Sequence, residues 1–381
     1  MNGTWRRGDW HNSVLPQAPL DDRTRAAMDL PRSLRPLIGE GLTQRAVFDP
    51  ALKPHSNAYR AADPRFDDPA REVAWRAARR AALDTVLAAI AGSCWVDSLV
   101  LRGSALMATW FKEAAREPGD LDFVVVPADW DMADPRTTAM FDGIATAAAC
   151  TAEEQGRGVR LSAAEAISED IWTYDRVPGR RLVLPWSAPD LPGGEVQIDI
   201  VFNEKLAMDP VPTHVPALAG GGEGALVQAA TPELSLAWKI VWLFDEWHPQ
   251  GKDLYDAVLL AERYVLPYDL LGEVSLRYGG WLSADVADLV MERLEGAVGD
   301  VEWHHFVAEY PELAGSQEEA QGTGGLRRPG RVAPCRAWAG AFLSLVRAVR
   351  ARRPARWYGR VEVGLRVQLG PLYRARVPGR G

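Results

Sequence analysis

The chain has 381 residues, of which 47% are hydrophobic and 25% charged, with a formal net charge of −8. That length allows two or more domains, because single domains cluster at roughly 100 to 200 residues, and the composition excludes a disordered, collagenous or membrane-dominated chain. The three cysteines, Cys94, Cys150 and Cys335, are odd in number and far apart, which fits neither a disulfide framework nor paired zinc ligands.

No apolar run follows the basic residues of the N-terminus. The most apolar stretch, 234–244, is short and broken by Lys239, so a cytoplasmic protein without a membrane partner is expected. Residues 1–69 are rich in Pro, Asp and Arg without a sustained period and predict a partly ordered arm that carries no evident chemistry. From Pro69, apolar residues recur at helical spacing up to Gly92, which predicts a leading amphipathic helix with a glycine at its end.

The segment 96–126 is the most informative. It parses as a strand over 96–102, a Gly-Ser turn, a helix over 104–116 stopped by Pro118 and Gly119, and a strand over 121–126. A helix is expected over about 135–155, and β-type segments near 165–174, 180–186 and 195–202 follow, joined by Pro-Gly turns. A loose connector containing the glycine run at 220–224 ends this part. The period then changes from 2 to 3.6, and Thr231 is a good N-cap with Pro232 at the first helical position. Further helices are expected at 283–297 and 337–351, on either side of a polar linker.

The expected organisation is therefore an α+β chain: an arm over 1–69, a mixed-sheet domain over 70–215, a helical domain over 216–315, and a linker with a basic tail over 316–381. From residue 326 onward there are fourteen arginines and one acid, which leaves the rest of the chain near −21. Such a tail suits RNA or another polyanion. A coding bias toward arginine, thirty-eight against five lysines, accounts for it as well.

Asp120 and Asp122 flank one leucine at a strand start, and side chains two apart on a strand share a face. Two adjacent carboxylates repel unless a cation lies between them, and oxygen-only ligands select a hard ion such as Mg²⁺ or Mn²⁺. An Asp-x-Asp pair alone is more often a turn. The Gly103-Ser104 junction between strand and helix adds backbone N–H groups that a phosphate could approach, although a tight turn with a serine cap explains it too. Asp199 stands inside an otherwise apolar, β-branched strand, where aspartate is disfavoured. Either it joins the pair as a third ligand or it faces solvent beside Gln197.

This order of motifs resembles the DNA polymerase β-like nucleotidyltransferases. The downstream lysine helix and the segment KDLYDAVLL are similar to the AbiE-type (AbiEii-like) toxin nucleotidyltransferases, with the likeness spanning about residues 95–265. It implies a metal-dependent enzyme that moves a nucleoside monophosphate from an NTP to a tRNA or protein hydroxyl, as a toxin with a cognate antitoxin. It further implies that Gly103 and Ser104 cradle phosphate and that Asp120, Asp122 and Asp199 hold metal, with Asp199 alternatively the base. Lys239 would contact the nucleotide, while Asp253 and Asp256 would shape the far wall.

The chain departs from the family at Arg102, where lysine is frequent, and at Glu246, where arginine is common. Read from the helix alone, Lys239 lies near an apolar stripe and either snorkels or meets an anion, and Asp253 and Asp256 suit a helix N-terminus. The histidines His214, His248, His304 and His305 lack metal spacing. Trp238, Trp242 and Trp247 are expected as core anchors rather than a stacking platform. An antibiotic-type small-molecule nucleotidyltransferase and a non-catalytic nucleotide-sensing or antitoxin-binding module remain the alternatives.

Overall fold

The computed structural model describes residue 15, residues 20–311 and residue 313, apart from 53, 57, 174–176, 246–248, 280–300 and 302. The helices expected at 283–297 and 337–351, the polar linker and basic tail, Cys335, Glu246, Trp247 and His248 lie outside the described residues.

The arm holds helix α1 (Asp22–Met28) and strands β1 (Leu42–Thr43), β2 (Ala46–Phe48), β3 (Tyr59–Ala61) and β4 (Arg65–Phe66). β1 pairs antiparallel with β4 and β2 with β3. Two small apolar clusters anchor these pieces, one around Leu30, Leu34 and Tyr59 and one joining Leu52 and Ala58 to Ile171 of the main sheet.

Helix α2 (Pro69–Ala91) starts where Asp68 accepts the Ala70 N–H and Pro69 fills the first helical position, and it ends at Gly92. Strand β5 (Leu99–Arg102), helix α3 (Ser104–Phe111), strand β6 (Leu121–Val125) and helix α4 (Pro135–Gln155) follow. Then come β7 (Arg160–Leu161), β8 (Ile167–Thr173), β9 (Val177–Ser187), β10 (Gly194–Val201), β11 (Val211–Val215) and β12 (Ala225–Ala229). The helices α5 (Pro232–Asp245), α6 (Gly251–Arg263), α7 (Tyr268–Gly279) and α8 (Trp303–Glu309) complete the described chain.

The result is an α+β fold around one mixed, eight-stranded sheet in the order β11-β12-β5-β6-β10-β9-β7, with β8 also on β9. β10 lies parallel to β6 and β12 parallel to β5, and the other pairings are antiparallel. Strands β11 and β12 were not expected: the glycine run at 220–224 joins two antiparallel strands of the sheet. Helix α3 is shorter than the spacing predicts, giving way to a 3-10 turn at Lys112–Ala114. Thr231 caps α5 through its hydroxyl to the Leu234 N–H.

Strand alternation divides β10 between two environments. Val196, Ile198 and Ile200 are fully buried in the core that α2 and α4 help to close, which is where most of the apolar stabilisation lies. Glu195, Gln197 and Asp199 take the other face, where arm residues reach Glu195 and, through Arg181, Asp199. The helical half closes over the same region: α6 bonds the loop between α3 and β6 through Asp256 to Arg116 and through Tyr255 to the Ala114 carbonyl.

Candidate active site

Parallel pairing of β10 with β6 sets Asp199 directly opposite Asp122, and antiparallel pairing of β5 sets Arg102 opposite Asp122 on the other side. Two strands thus bring Asp120, Asp122 and Asp199 to one place, and a third adds Arg102. A cavity of about 210 Å³ opens over them, with Gly103, Asp120, Asp122, Asp199, Lys239 and Asp253 all in its wall. The arm contributes Phe48, Asp49 and Arg60 to the same wall.

Gly103 has φ +79°, a conformation most side chains avoid. A Cβ there would fall 2.1 Å from Asp122 Oδ2, so the position admits glycine alone without moving the carboxylate. Ser104 is fully buried at the start of α3, and its hydroxyl donates to Asp120 Oδ1 at 3.2 Å. The serine therefore holds the first aspartate, and the glycine leaves room for the second.

Asp122 accepts no hydrogen bond from the described residues. Burial, then the negative charges of Asp120 and Asp199, push its carboxyl up to about 7. Burial also opposes ionisation of Asp120, but the positive charges of Lys252, Arg116, Arg60 and Arg181 outweigh it and hold that carboxyl below its usual range. The two acids are oxygen-only donors with almost no protein partners, a set that fits a hard divalent cation.

Asp199, by contrast, has strong protein partners. Arg181, opposite it on β9, donates from Nε to Oδ1 at 2.7 Å and from Nη2 to Oδ2 at 2.8 Å, and its Nη1 donates to Asp49 of the arm at 2.8 Å. Among the described residues no three His, Cys, Asp or Glu side chains are arranged to hold one metal ion. The pair Asp120 and Asp122 is open, while Asp199 is near but occupied.

The helical side carries a second buried network. Lys239 Nζ lies 2.7 Å from Asp253 Oδ1 and 3.1 Å from Asp256 Oδ2, and Arg116 shares Asp256 at 3.1 Å. Burial opposes the charge on Asp256, yet Arg116 and Lys239 keep it below the usual carboxylate range. Asp256 does not line the cavity; it braces the residues that do. Trp242 lies over Lys239, with Nζ 4.7 Å from the ring, and it lines the cavity while Trp238 is fully buried.

Sequence reasoning missed six charged residues of this cavity wall, Arg116 and Glu309 among them. Asp49 and Arg60 sit in the arm, Arg181 in a strand that reads as ordinary, and Lys252 one position before Asp253. Arg60, Arg102, Arg116, Arg181 and Lys239 are each ion-paired. Lys252, which lines the cavity with them, has no such pair among the described residues.

Residues 85–321 match the family model described as the AbiEii toxin, a nucleotidyl transferase of a type IV toxin-antitoxin system. No curated protein matches the chain. Among solved structures, MenT4, a nucleotidyltransferase toxin from Mycobacterium tuberculosis H37Rv, is similar with 17% identity and a TM-score of 0.40, covering 75% of this chain and 92% of that one.

Proposed function

The chain belongs to the AbiEii nucleotidyl transferase toxin family, and from that premise we propose that the cavity over Asp120 and Asp122 moves a nucleoside monophosphate from an NTP to an acceptor hydroxyl. What carries this reading is the pair itself: two carboxylates with almost no protein partners, beneath a glycine whose missing side chain leaves the second one room.

In this reading Asp120 and Asp122 would hold Mg²⁺ or Mn²⁺, which would supply charge neutralisation for the triphosphate. Gly103 and the N-terminal turn of α3 receive phosphate oxygens at backbone N–H groups. Lys239 stands at the phosphate side with its charge shared between Asp253 and Asp256. The acceptor hydroxyl attacks the α-phosphorus, the bond from that phosphorus to the bridging oxygen breaks, and pyrophosphate leaves. Asp199 serves as a third ligand or takes the hydroxyl proton, and either role requires Arg181 to release one of its oxygens.

The acceptor is tRNA or a protein, and a cognate antitoxin is the expected partner. The described chain has no helix long and apolar enough to cross a membrane. The test is transfer of each labelled nucleotide to total RNA and cell extract. Asp120→Asn abolishes transfer and removes triphosphate-dependent thermal stabilisation in Mg²⁺, and undiminished transfer by that variant overturns the assignment.

One observation favours a second reading. The grip of Arg181 on Asp199 suits a site that binds nucleotide without transferring it, as in a sensor or an antitoxin-binding module. Metal-dependent nucleotide binding with no transfer to any acceptor supports that reading over the first.

A further inference from the structure

A second cavity, also of about 210 Å³, adjoins the first, and Asp120, Arg60, Arg116 and Lys252 stand in both walls. Gly103, Asp122 and Asp199 do not line it. It lies between the arm, α2 and the outer face of β10, where Glu195 and Gln197 form part of its floor. Any molecule in this second space meets Asp120 by a different approach from one lying along Gly103.

Its lining is cationic, with seven arginines and Lys252 against five acids. Most of these charges are paired, as Arg79 is with Asp63 and Arg60 with Glu309. Arg45 and Arg65 are not. Both are exposed, and each donates a single N–H to the Ala308 carbonyl at the end of α8, at 2.9 and 2.8 Å. Neither has an acidic partner among the described residues. Partial burial, then the charge of Arg65, push the Arg45 guanidinium below its usual value against the pull of Glu309. A guanidinium offers five donors, so two forks meeting at one carbonyl oxygen leave most of their N–H groups for an anion. Phosphate, like carboxylate, matches that fork geometry with two parallel N–H···O bonds.

We propose that Arg45 and Arg65, with Arg60 behind them, hold a backbone phosphate of the acceptor strand, so that its terminal hydroxyl enters the second cavity and reaches Asp120. This rests on the nucleotidyltransferase reading with RNA as its acceptor, and what it adds is the arm residues that position the strand. The bland account is that both arginines only clip the arm to the end of α8, where cations are favoured.

The experiment is fluorescence anisotropy of a short labelled RNA strand, without NTP, for the wild-type chain and R45A/R65A. Transfer kinetics, NTP affinity by calorimetry and Tm accompany it. The expected result is strand affinity weakened about tenfold, as for loss of a charge-assisted contact. The dependence of log affinity on log salt should become shallower by about one. The strand KM should rise in proportion, with kcat, NTP affinity and Tm close to wild type. A DNA strand of the same sequence shows whether the ribose is read as well as the phosphate.

R45K/R65K, which keeps the charge and loses the fork, should fall between the two. Unchanged strand affinity in R45A/R65A overturns the proposal, as does a loss of NTP affinity or a labelled protein acceptor whose KM the double substitution leaves alone. A lowered Tm with unchanged strand affinity shows the clip instead. Because strand binding is read without transfer, a failure of the catalytic reading and a failure of this one give different results.

Discussion

Arg181 holds Asp199 by both carboxylate oxygens while its remaining nitrogen reaches Asp49 of the arm. Burial opposes the charge on Arg181, but the two acids outweigh it and raise its guanidinium well above the usual value, whereas burial lifts the Asp199 carboxyl above its usual range against the pull of Arg181. Replacing Arg181 with methionine removes the cation that two buried carboxylates share, a change that costs about 3–5 kcal/mol. R181M should therefore melt well below wild type. It also frees Asp199 beside Asp120 and Asp122, so Mn²⁺ should raise the Tm of R181M more than that of wild type. Equal metal shifts in the two proteins would show that Asp199 has no share in ion binding.

Gly103→Ala tests the close approach of the turn to Asp122. The new methyl cannot coexist with the carboxylate at 2.1 Å and sits at φ +79°, so the aspartate must move or the turn must open. The strain of a side chain in that backbone region is about 1–3 kcal/mol, a modest loss of Tm. Transfer should fall by about 100-fold or more, on the general scale of misplacing a reacting group by 1 Å. Near wild-type transfer by G103A would show that Asp122 works without the room that glycine leaves it.

Much of this site is legible in the sequence because its signals are local. An Asp-x-Asp pair needs only strand alternation to converge, and Asp199 stands out as an acid in an apolar strand. What could not be read depends on register. Arg181 is one of two arginines after Pro178-Gly179, which read as a turn but lie within β9, and only the pairing of β9 with β10 shows that it, rather than Arg180, faces Asp199. Asp49 and Arg60 come from an arm without periodicity, and nothing local distinguishes them from its other charges. Strands β11 and β12 are five residues each around a glycine-rich turn, and β12 finds its parallel partner more than a hundred residues earlier.

Glu195 gives a pH signature. Burial lifts its carboxyl to about 8 even with Arg35 Nε 3.2 Å away, so the folded protein prefers it protonated. A raised acid pKa contributes stability that is present at low pH and lost as pH climbs from the unfolded value, near 4.5, through about 8. Glu195→Gln keeps the shape and removes the titration. The Tm of E195Q should match wild type near pH 5 and exceed it above pH 8. A wild-type Tm that stays level with E195Q up to pH 9 would mean that Glu195 is ionised in the native state.

Two lysines in the cavity wall differ in what their loss leaves behind. Lys239 is 4% exposed and bridges Asp253 and Asp256. Lys239→Met would strand part of a buried acidic pair, with a cost near the lower end of about 3–5 kcal/mol because Arg116 still holds Asp256. Lys252 has no ion pair among the described residues, and it sits at the second position of α6, where the helix dipole disfavours a cation by about 0.3–1 kcal/mol. Lys252→Met should therefore fold at least as well as wild type. Its charge is nevertheless felt by Asp120, Asp122, Asp49 and Glu309, which line the cavity with it. The expectation is a split: K239M loses Tm and activity together, whereas K252M keeps its Tm and loses nucleotide affinity by about tenfold, the scale of one charge-assisted contact. Calorimetry of NTP binding beside thermal melts reads both quantities. Should K252M bind nucleotide as tightly as wild type, the unpaired lysine serves only to temper the repulsion between Asp120 and Asp122, and the triphosphate is held from the Gly103 side alone.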